Sequence, residues 1–279
     1  MKACFTIMIL LAALYFTPVT EVAAFDNGGY AAILSGYVDE GGLVDYAGLK
    51  ANGELLEAWV ASLDGLDREV YEGWTDKEKI AFWINAYNGL TLKLIVDHYP
   101  IESSRLRSLV LPKNSIMQIP GRWKKVSFDV MGDPMTLDKI EHAVLRGKFT
   151  EPRIHVALVC AALSCPELRG EPFEAAALDD QLDDQAREFL SNEMKFRINR
   201  DKDVVYLSAI FDWFGGDFID GYGTGDPPGR RGEEKQAVLN FVMRYVDDAD
   251  AEYLRTGDFK IKFLDYDWTL NEQPHVASE

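Results

Sequence analysis

The sequence predicts an α+β fold in which a long central helix packs on a small sheet and other helices surround them. Three observations support this prediction: one long apolar segment has helical spacing, several short segments alternate like strands, and turn-forming residues separate them. The long segment covers residues 76–98; Thr75 and Glu78 have the spacing of a capping box, and Pro100 follows its end. Because it is apolar around most of its circumference, we expect this helix to be buried.

The other predicted elements are shorter. Thr136 is placed to cap a helix that Gly147 ends, and residues 153–160, which are apolar on both faces, have the pattern of a central strand. The same criteria predict further helices over about 52–63, 178–190 and 236–246, and further strands over about 126–130, 204–207 and 259–263.

The N-terminus has the features of a signal peptide. Lys2 precedes an apolar run from Phe5 to Phe16, and Val22-Ala23-Ala24 supplies the small residues of a cleavage site. We therefore expect residues 1–24 to be removed and the chain to be exported to the periplasm or the extracellular space. Residues 25–279 are predicted to form a single globular domain with a core at about 38–245, a C-terminal strand and a tail. An uncleaved anchor is the alternative, although the run is shorter than the roughly 20 residues that span a bilayer.

Charge and composition limit the partners. The net charge of −17 argues against nucleic acids and anionic membrane surfaces as partners. No later segment has about 18 consecutive apolar residues, so we expect no membrane span after signal cleavage. We expect no cofactor. We also expect no metal, because Cys160 and Cys165 without paired histidines do not make a structural zinc pattern.

Cys160 is the strongest candidate for catalysis. A side chain at the end of a buried strand is presented to a cleft, and a thiol there becomes a nucleophile when a helix N-terminus or an imidazolium favours its thiolate. Such a site would transfer acyl groups through a thioester. Two alternatives remain open: a buried cysteine is most often a small apolar residue, and a disulfide between Cys160 and Cys165 would abolish the nucleophile.

A thiol nucleophile requires a histidine as base. His142 is our first candidate, on a capped helix. His155 is the second, because strand alternation would place it and Cys160 on opposite faces. An orienting acid or amide is also needed, and its candidates are Glu141, Asp212, Asp217 and Asn85.

Candidate binding residues lie in two motifs. Amides are poor in helix interiors and must be hydrogen-bonded when buried, so Asn85 and Asn88 either satisfy loop backbone or line a site. Tyr87 can line the same site or pack in the core. Trp213 and Asp217 in the segment FDWFGGDF can close a pocket, or can pack on the surface and cap a helix.

Four motifs taken together resemble the family called domain of unknown function 547, from about Val38 to Tyr245. They are FWINAYN at 82–88, LDKIEH at 137–142, RIHVALVC at 153–160 with SCP at 164–166, and IFDWF at 210–214 leading to Asp217-Phe218. The pattern of this family is similar to the papain and transglutaminase type of thiol fold with the order of elements changed. The resemblance therefore implies a permuted papain-like fold, although a fold alone does not decide a function.

Two functions compete. The first is a thiol-dependent hydrolase or acyl transferase that acts on peptide or amide bonds, for example of envelope polymers. The alternative is a non-catalytic envelope module that holds a peptide or glycan through the aromatic cluster around Trp213 and Phe214. A purely structural role is a third interpretation. The first two differ on whether the Cys160 thiol is free, and a disulfide to Cys165 favours the binding module.

Overall fold

The computed structural model describes residues 23–224 and 232–274. The predicted signal peptide at 1–24 lies outside the described residues, apart from Ala23 and Ala24. The described chain combines many helices with two small sheets, so the predicted α+β class is confirmed.

The helices cover most of the described chain. In chain order the α-helices are α1 (Gly28–Tyr37), α2 (Tyr46–Ala51), α3 (Glu54–Asp64), α4 (Arg68–Glu72), α5 (Asp76–His98), α6 (Arg146–Lys148), α7 (Leu178–Ser191), α8 (Ala209–Phe214), α9 (Ile219–Tyr222), α10 (Glu233–Tyr245) and α11 (Asp248–Thr256). Short 3₁₀ helices lie at Arg107–Leu109, Ile116–Gln118, Pro152–Val156, Arg200–Lys202 and Gly215–Phe218, and a π-helix lies at Lys139–Leu145.

The strands form two separate sheets. Strands β1 (Phe128–Val130) and β2 (Asp133–Met135) make an antiparallel hairpin. The second sheet has the order β3-β4-β5, with β3 (Phe196–Asn199) antiparallel to β4 (Val204–Leu207) and β4 parallel to β5 (Lys260–Phe263). The strands predicted near 128, 204 and 260 are thereby confirmed.

Helix α5 is the central buried helix that the sequence predicts. Its capping box is formed, because the Glu78 amide donates to the Thr75 hydroxyl and the Thr75 amide donates to the Glu78 carboxylate. Between Ile80 and Val96 every side chain but Lys93 is buried. The helix therefore has no solvent-facing stripe over four turns, and the rest of the chain packs around it.

The apolar core has two clusters. The larger surrounds α5 and includes Trp59, Leu90 and Ile140. The smaller lies among α7, α10 and the three-stranded sheet and includes Phe189 and Phe241. Tyr266, which follows β5, packs against both clusters, so the segment after β5 lies at their junction.

The predicted central strand at 153–160 is wrong. Its first part is a 3₁₀ helix, Pro152–Val156, and the rest has no strand partner. The Asn88 side chain replaces the missing partner: its amide donates to the Ala157 carbonyl at 3.0 Å and its oxygen accepts from the Val159 amide at 2.8 Å. Buried non-repetitive backbone needs such partners, and a short apolar run does not reveal whether a strand or a side chain supplies them.

The predicted helix at 136–147 forms with a different backbone. Thr136 caps it as predicted, because its hydroxyl accepts from the Lys139 amide at 3.1 Å. The next two turns are a π-helix, and α6 completes the segment. π-Helices are rare in proteins, and those that occur often lie at functional sites. This one carries Glu141 and His142.

The Asn88 contact predicts a stability defect. Replacing Asn88 by Ala would leave the buried Ala157 carbonyl and Val159 amide without partners, at a cost of about 1–3 kcal/mol for each group. We expect the urea midpoint of Asn88→Ala to fall with an unchanged slope.

The matched control is Asn52→Ala, which removes an exposed amide that donates to the Gly48 carbonyl. We expect it to stay within about 0.5 kcal/mol of the parent chain. Equal midpoints for the two variants would contradict the structural role of Asn88.

Candidate functional site

A cavity of about 190 Å³ lies where the π-helix, the 152–160 segment, α8 and the segment after β5 meet. The polar side chains that line it are Tyr87, Asp138, Glu141, His142, His155, Cys160 and Tyr266. Its apolar lining is Trp123, Leu158, Ile210, Trp213, Phe214 and Trp268. With Tyr87 of α5 and Trp123 added to these four segments, six parts of the chain that are distant in sequence build one site.

His155 is held in one orientation on the cavity wall. Its Nε2 lies 2.8 Å from a carboxylate oxygen of Asp217, and its ring stacks on Phe214 at 4.3 Å between centroids. The described residues supply no partner for its Nδ1. Because a carboxylate only accepts hydrogen bonds, Nε2 carries a proton. In the neutral tautomer the lone pair of the ring is therefore at Nδ1.

Arg146 completes the support of His155. Its guanidinium donates to both oxygens of Asp217, at 2.5 and 2.9 Å, and lies over the Phe214 ring at 5.0 Å. Burial by itself would raise the pKa of Asp217, but the hydrogen bonds from His155 and Arg146 outweigh burial and lower that pKa. Asp217 is therefore ionised at neutral pH and fixes the positions of Arg146 and His155.

His142 lines the same cavity in a different state. Arg146 Nη1 lies 2.8 Å from His142 Nδ1, and a guanidinium can only donate, so Nδ1 accepts this hydrogen bond. The proton of the neutral ring is then on Nε2, which lies 3.6 Å from Asp138. The lone pair of His142 is thus occupied, whereas that of His155 is not.

Cys160 and Cys165 are joined in a disulfide, with their Cα atoms 6.0 Å apart. The Tyr266 hydroxyl lies 3.2 Å from the Cys160 sulfur and 3.1 Å from the Cys165 sulfur. Of the alternatives open from the sequence, the structure has the disulfide. In this form Cys160 holds no thiolate, so the nucleophile predicted there is absent.

The loop that closes the disulfide has a strained backbone. Ala161 has a φ of +59°, in the left-handed region that costs a non-glycine residue about 1 kcal/mol or more. Hydrogen bonds to the segment after β5 hold this loop, because the Leu163 amide donates to the Thr269 carbonyl at 2.8 Å and the Asp267 backbone amide donates to the Ser164 hydroxyl at 2.8 Å. These hydrogen bonds hold the loop next to Cys160 against the segment that carries Tyr266 and Trp268.

Two phenols stay neutral beside Glu141. The Tyr87 hydroxyl donates to the Glu141 carboxylate at 3.3 Å. Burial raises the pKa of Tyr87, and the charge of Glu141 raises it further. Burial, followed by the charge of Glu141, raises the pKa of Tyr266 in the same way. Both hydroxyls therefore remain hydrogen-bond donors throughout the physiological pH range.

An aromatic wall forms one side of the cavity. Trp213 lies 4.9 Å from Tyr266 and stacks on Trp268 at 6.1 Å, while Tyr266 and Trp268 are 4.5 Å apart, all between ring centroids. Trp213 remains 48% exposed. Trp213 was predicted from the sequence as a binding residue, whereas Tyr266 and Trp268 were not. Their signal was the alternating acidic and aromatic segment DYDW at 265–268.

The structure corrects several placements. His155 and Cys160 line one cavity, so the expectation that they lie on opposite faces is wrong, since it depended on the strand. Asn85 does not reach the cavity: its amide exchanges two hydrogen bonds with the Phe173 backbone, at 2.8 and 2.9 Å. Asn88 likewise satisfies loop backbone. Asp212 is exposed on α8 and points to none of these groups.

Other site types are not found in the part of the chain that the structure describes. Within residues 23–224 and 232–274, no three histidine, cysteine or carboxylate side chains converge as metal ligands would. Over the same ranges, no helix combines the length and the apolar character that crossing a bilayer demands.

Fold and cavity together define an α+β protein with a disulfide beside an aromatic, acidic cavity. Residues 71–190 match the profile of the family described as "Protein of unknown function, DUF547", and this segment of the chain belongs to that family. The match contains three of the four motifs, and the fourth, at 210–218, lies beyond it. No curated protein and no solved structure matches the chain. The papain-like resemblance stays a prediction.

The lowered pKa of Asp217 predicts a dependence of stability on pH. A carboxylate with a depressed folded pKa stabilises the fold above its ordinary pKa of about 3.9, and this contribution is lost as the pH falls towards the folded value. At pH 6 we expect Asp217→Asn to lose about 1.5–3 kcal/mol, because it removes charged hydrogen bonds. Below about pH 4 the difference from the parent chain should shrink.

Urea unfolding from pH 6 to pH 2 measures this difference. Asp212→Asn, which changes an exposed carboxylate on the neighbouring helix, should match the parent chain throughout. A difference that stays constant down to pH 2 would show that the charge of Asp217 contributes nothing to folding.

Proposed function

We propose that the chain is a non-catalytic binding module that holds a group of a peptide or glycan in the aromatic cavity. The disulfide carries this proposal, because it removes the thiolate that catalysis would need while the cavity beside it stays open. Disulfides persist in oxidising compartments, which also supports the proposal that the chain is exported.

The lining supports binding in a second way. Trp213, Tyr266 and Trp268 present large rigid ring faces, on which a sugar ring or a peptide side chain can stack. Exposing 48% of a tryptophan at the rim of a cavity leaves apolar surface in water. A ligand that covers Trp213 would recover that free energy. Glu141 and His142 add polar groups that orient a ligand within the site.

Binding is tested with defined neutral and charged probes. We expect at least one of N-acetyl-trialanine amide, chitotriose and N-acetyl-lysine N-methylamide to quench tryptophan fluorescence of the oxidised protein saturably. Trp268→Ala should weaken that binding about tenfold, since the loss of one stacking face and its buried area costs roughly 1.5 kcal/mol.

The control is Met194→Ala, which truncates a side chain that is 61% exposed away from the cavity. It should bind as the parent chain does. Failure of all three probes to bind, or equal loss in both variants, would overturn the proposal.

One observation favours a second function, thiol-dependent acyl transfer after reduction. His155 has its Nε2 proton held by Asp217, its Nδ1 lone pair without a partner among the described residues, and Cys160 on the same cavity. The residue types that serve as nucleophile, base and orienting acid are thus grouped around one cavity. This observation favours His155 over His142 as the base, in contrast to the order predicted from the sequence.

The second function begins with reduction of the disulfide. A dithiol reductant transfers two electrons to the disulfide and becomes a disulfide itself, leaving thiols at Cys160 and Cys165. Cys160 gives its proton to His155 Nδ1 and attacks the acyl carbon, whose bond to nitrogen then breaks. The leaving amine takes the proton from His155. Water then cleaves the thioester to a carboxylic acid and restores the thiol.

The Cys165→Ser variant tests this second function without a reductant. We expect its Cys160 to react with iodoacetamide at neutral pH faster than the same thiol in urea, because an imidazole within the cavity favours the thiolate. It should also release p-nitrophenol from p-nitrophenyl acetate in a burst. Adding His155→Gln to Cys165→Ser is expected to abolish both effects.

Cys160→Ser is the matched control, because it also lacks the disulfide but leaves only the buried Cys165. It should show neither effect. A native labelling rate for Cys165→Ser that does not exceed the rate in urea would exclude the acyl-transfer function.

A further inference from the structure

We infer that the group bound in this cavity is an alkylammonium, as on a lysine side chain. This inference rests on the proposed binding function and names the ligand chemistry of the same site. It depends on two features of the lining. One is a carboxylate without an ion-pair partner among the described residues, and the other is a set of aromatic ring faces with no lysine or arginine over them.

Glu141 is the carboxylate of the lining that has no ion-pair partner among the described residues, and Arg146 acts on it only over a longer distance. Glu141 is half-buried in the cavity wall, and its partner among the described residues is the neutral Tyr87 hydroxyl. No lysine or arginine of the described chain lies within ion-pair distance of it. Partial burial of a carboxylate without a counter-charge is costly, and a cationic ligand would remove that cost. Asp138, the other acid of the lining, already has Lys124 at 3.5 Å.

The positive charge nearest to the cavity is already neutralised. Arg146 donates hydrogen bonds to both oxygens of Asp217 and to His142. Its guanidinium also makes a cation–π contact with the Phe214 ring. It therefore stands behind the wall and does not line the cavity. The space in front of Glu141 is left with a net negative field, which raises the pKa of both Tyr87 and Tyr266 beyond the effect of their burial.

The aromatic wall faces this negative field. Cations attract the faces of tryptophan and tyrosine rings by roughly 0.5–2 kcal/mol. No lysine or arginine of the described chain lies over Trp213, Tyr266 or Trp268. These three rings therefore remain free to accept a cation from a ligand, next to the Glu141 carboxylate.

Charge separates an ammonium from a neutral sugar at this site. The Tyr87 hydroxyl donates a hydrogen bond to Glu141, and the Tyr266 hydroxyl faces the two sulfur atoms. The Glu141 carboxylate therefore offers a ligand a charged acceptor. An ammonium group is a pure donor of three hydrogen bonds and carries the opposite charge, whereas a sugar hydroxyl is neutral.

The decisive comparison uses a charged probe and an uncharged probe with side chains of similar length. N-acetyl-lysine N-methylamide carries the ammonium, and N-acetyl-norleucine N-methylamide has a similar chain without charge. We expect the lysine probe to bind about tenfold more tightly to the oxidised protein at low salt, as an ion pair with added cation–π attraction should. Raising the salt to about 1 M should reduce the preference.

The Glu141→Gln variant tests whether the Glu141 carboxylate causes the preference for the lysine probe over the norleucine probe. This variant keeps an oxygen that can accept from Tyr87 but removes the charge, so the affinities of the two probes should become similar. Asp212→Asn removes an exposed carboxylate of α8 outside the cavity and should retain the full preference.

The outcomes separate this inference from the proposed function. If the norleucine probe or chitotriose binds as tightly as the lysine probe, the ammonium inference is wrong and the binding function stands. If no probe binds, the binding function falls, and this inference with it. A preference that persists in Glu141→Gln would overturn the role assigned to that carboxylate.

Discussion

The structure depends on satisfying the backbone of a buried segment that belongs to no sheet. Residues 157–159 lie in the larger apolar cluster, directly after Val156 of the smaller one, and an unpaired carbonyl or amide there costs about 1–3 kcal/mol. Asn88 satisfies two of these groups from the middle of α5. The buried middle of α5 thereby fixes the residues that lead to Cys160, and this contact sets the position of Cys160 in the cavity wall.

Charge is organised around the cavity in layers. Asp217 and Arg146 form an ion pair behind the wall and position His155 and His142 in opposite ways, one with a free lone pair and one without. Glu141 lines the cavity itself and has no ion-pair partner among the described residues. A single arginine can thus support both imidazoles while the ligand space itself remains acidic and aromatic.

The disulfide decides between functions that share these residues. With the sulfur atoms joined, the cavity is the proposed binding site and has an oriented imidazole in its wall. With them separated by a dithiol, the same imidazole lies beside a thiol. The choice between the two therefore depends on the redox poise around the chain, and disulfide exchange is the reaction that would interconvert them.

The sequence by itself determined the elements whose signals are local. The limits of α5 follow from its capping box and from Pro100, and β4 follows from its alternation. Tertiary structure alone decided the site. An apolar run at 153–160 looks the same whether a strand or the Asn88 side chain satisfies its backbone, so the orientation of His155 could not be derived. Tyr266 lies 106 residues from Cys160, and only the packing of distant segments brings its ring, Trp268 and the disulfide into one cavity.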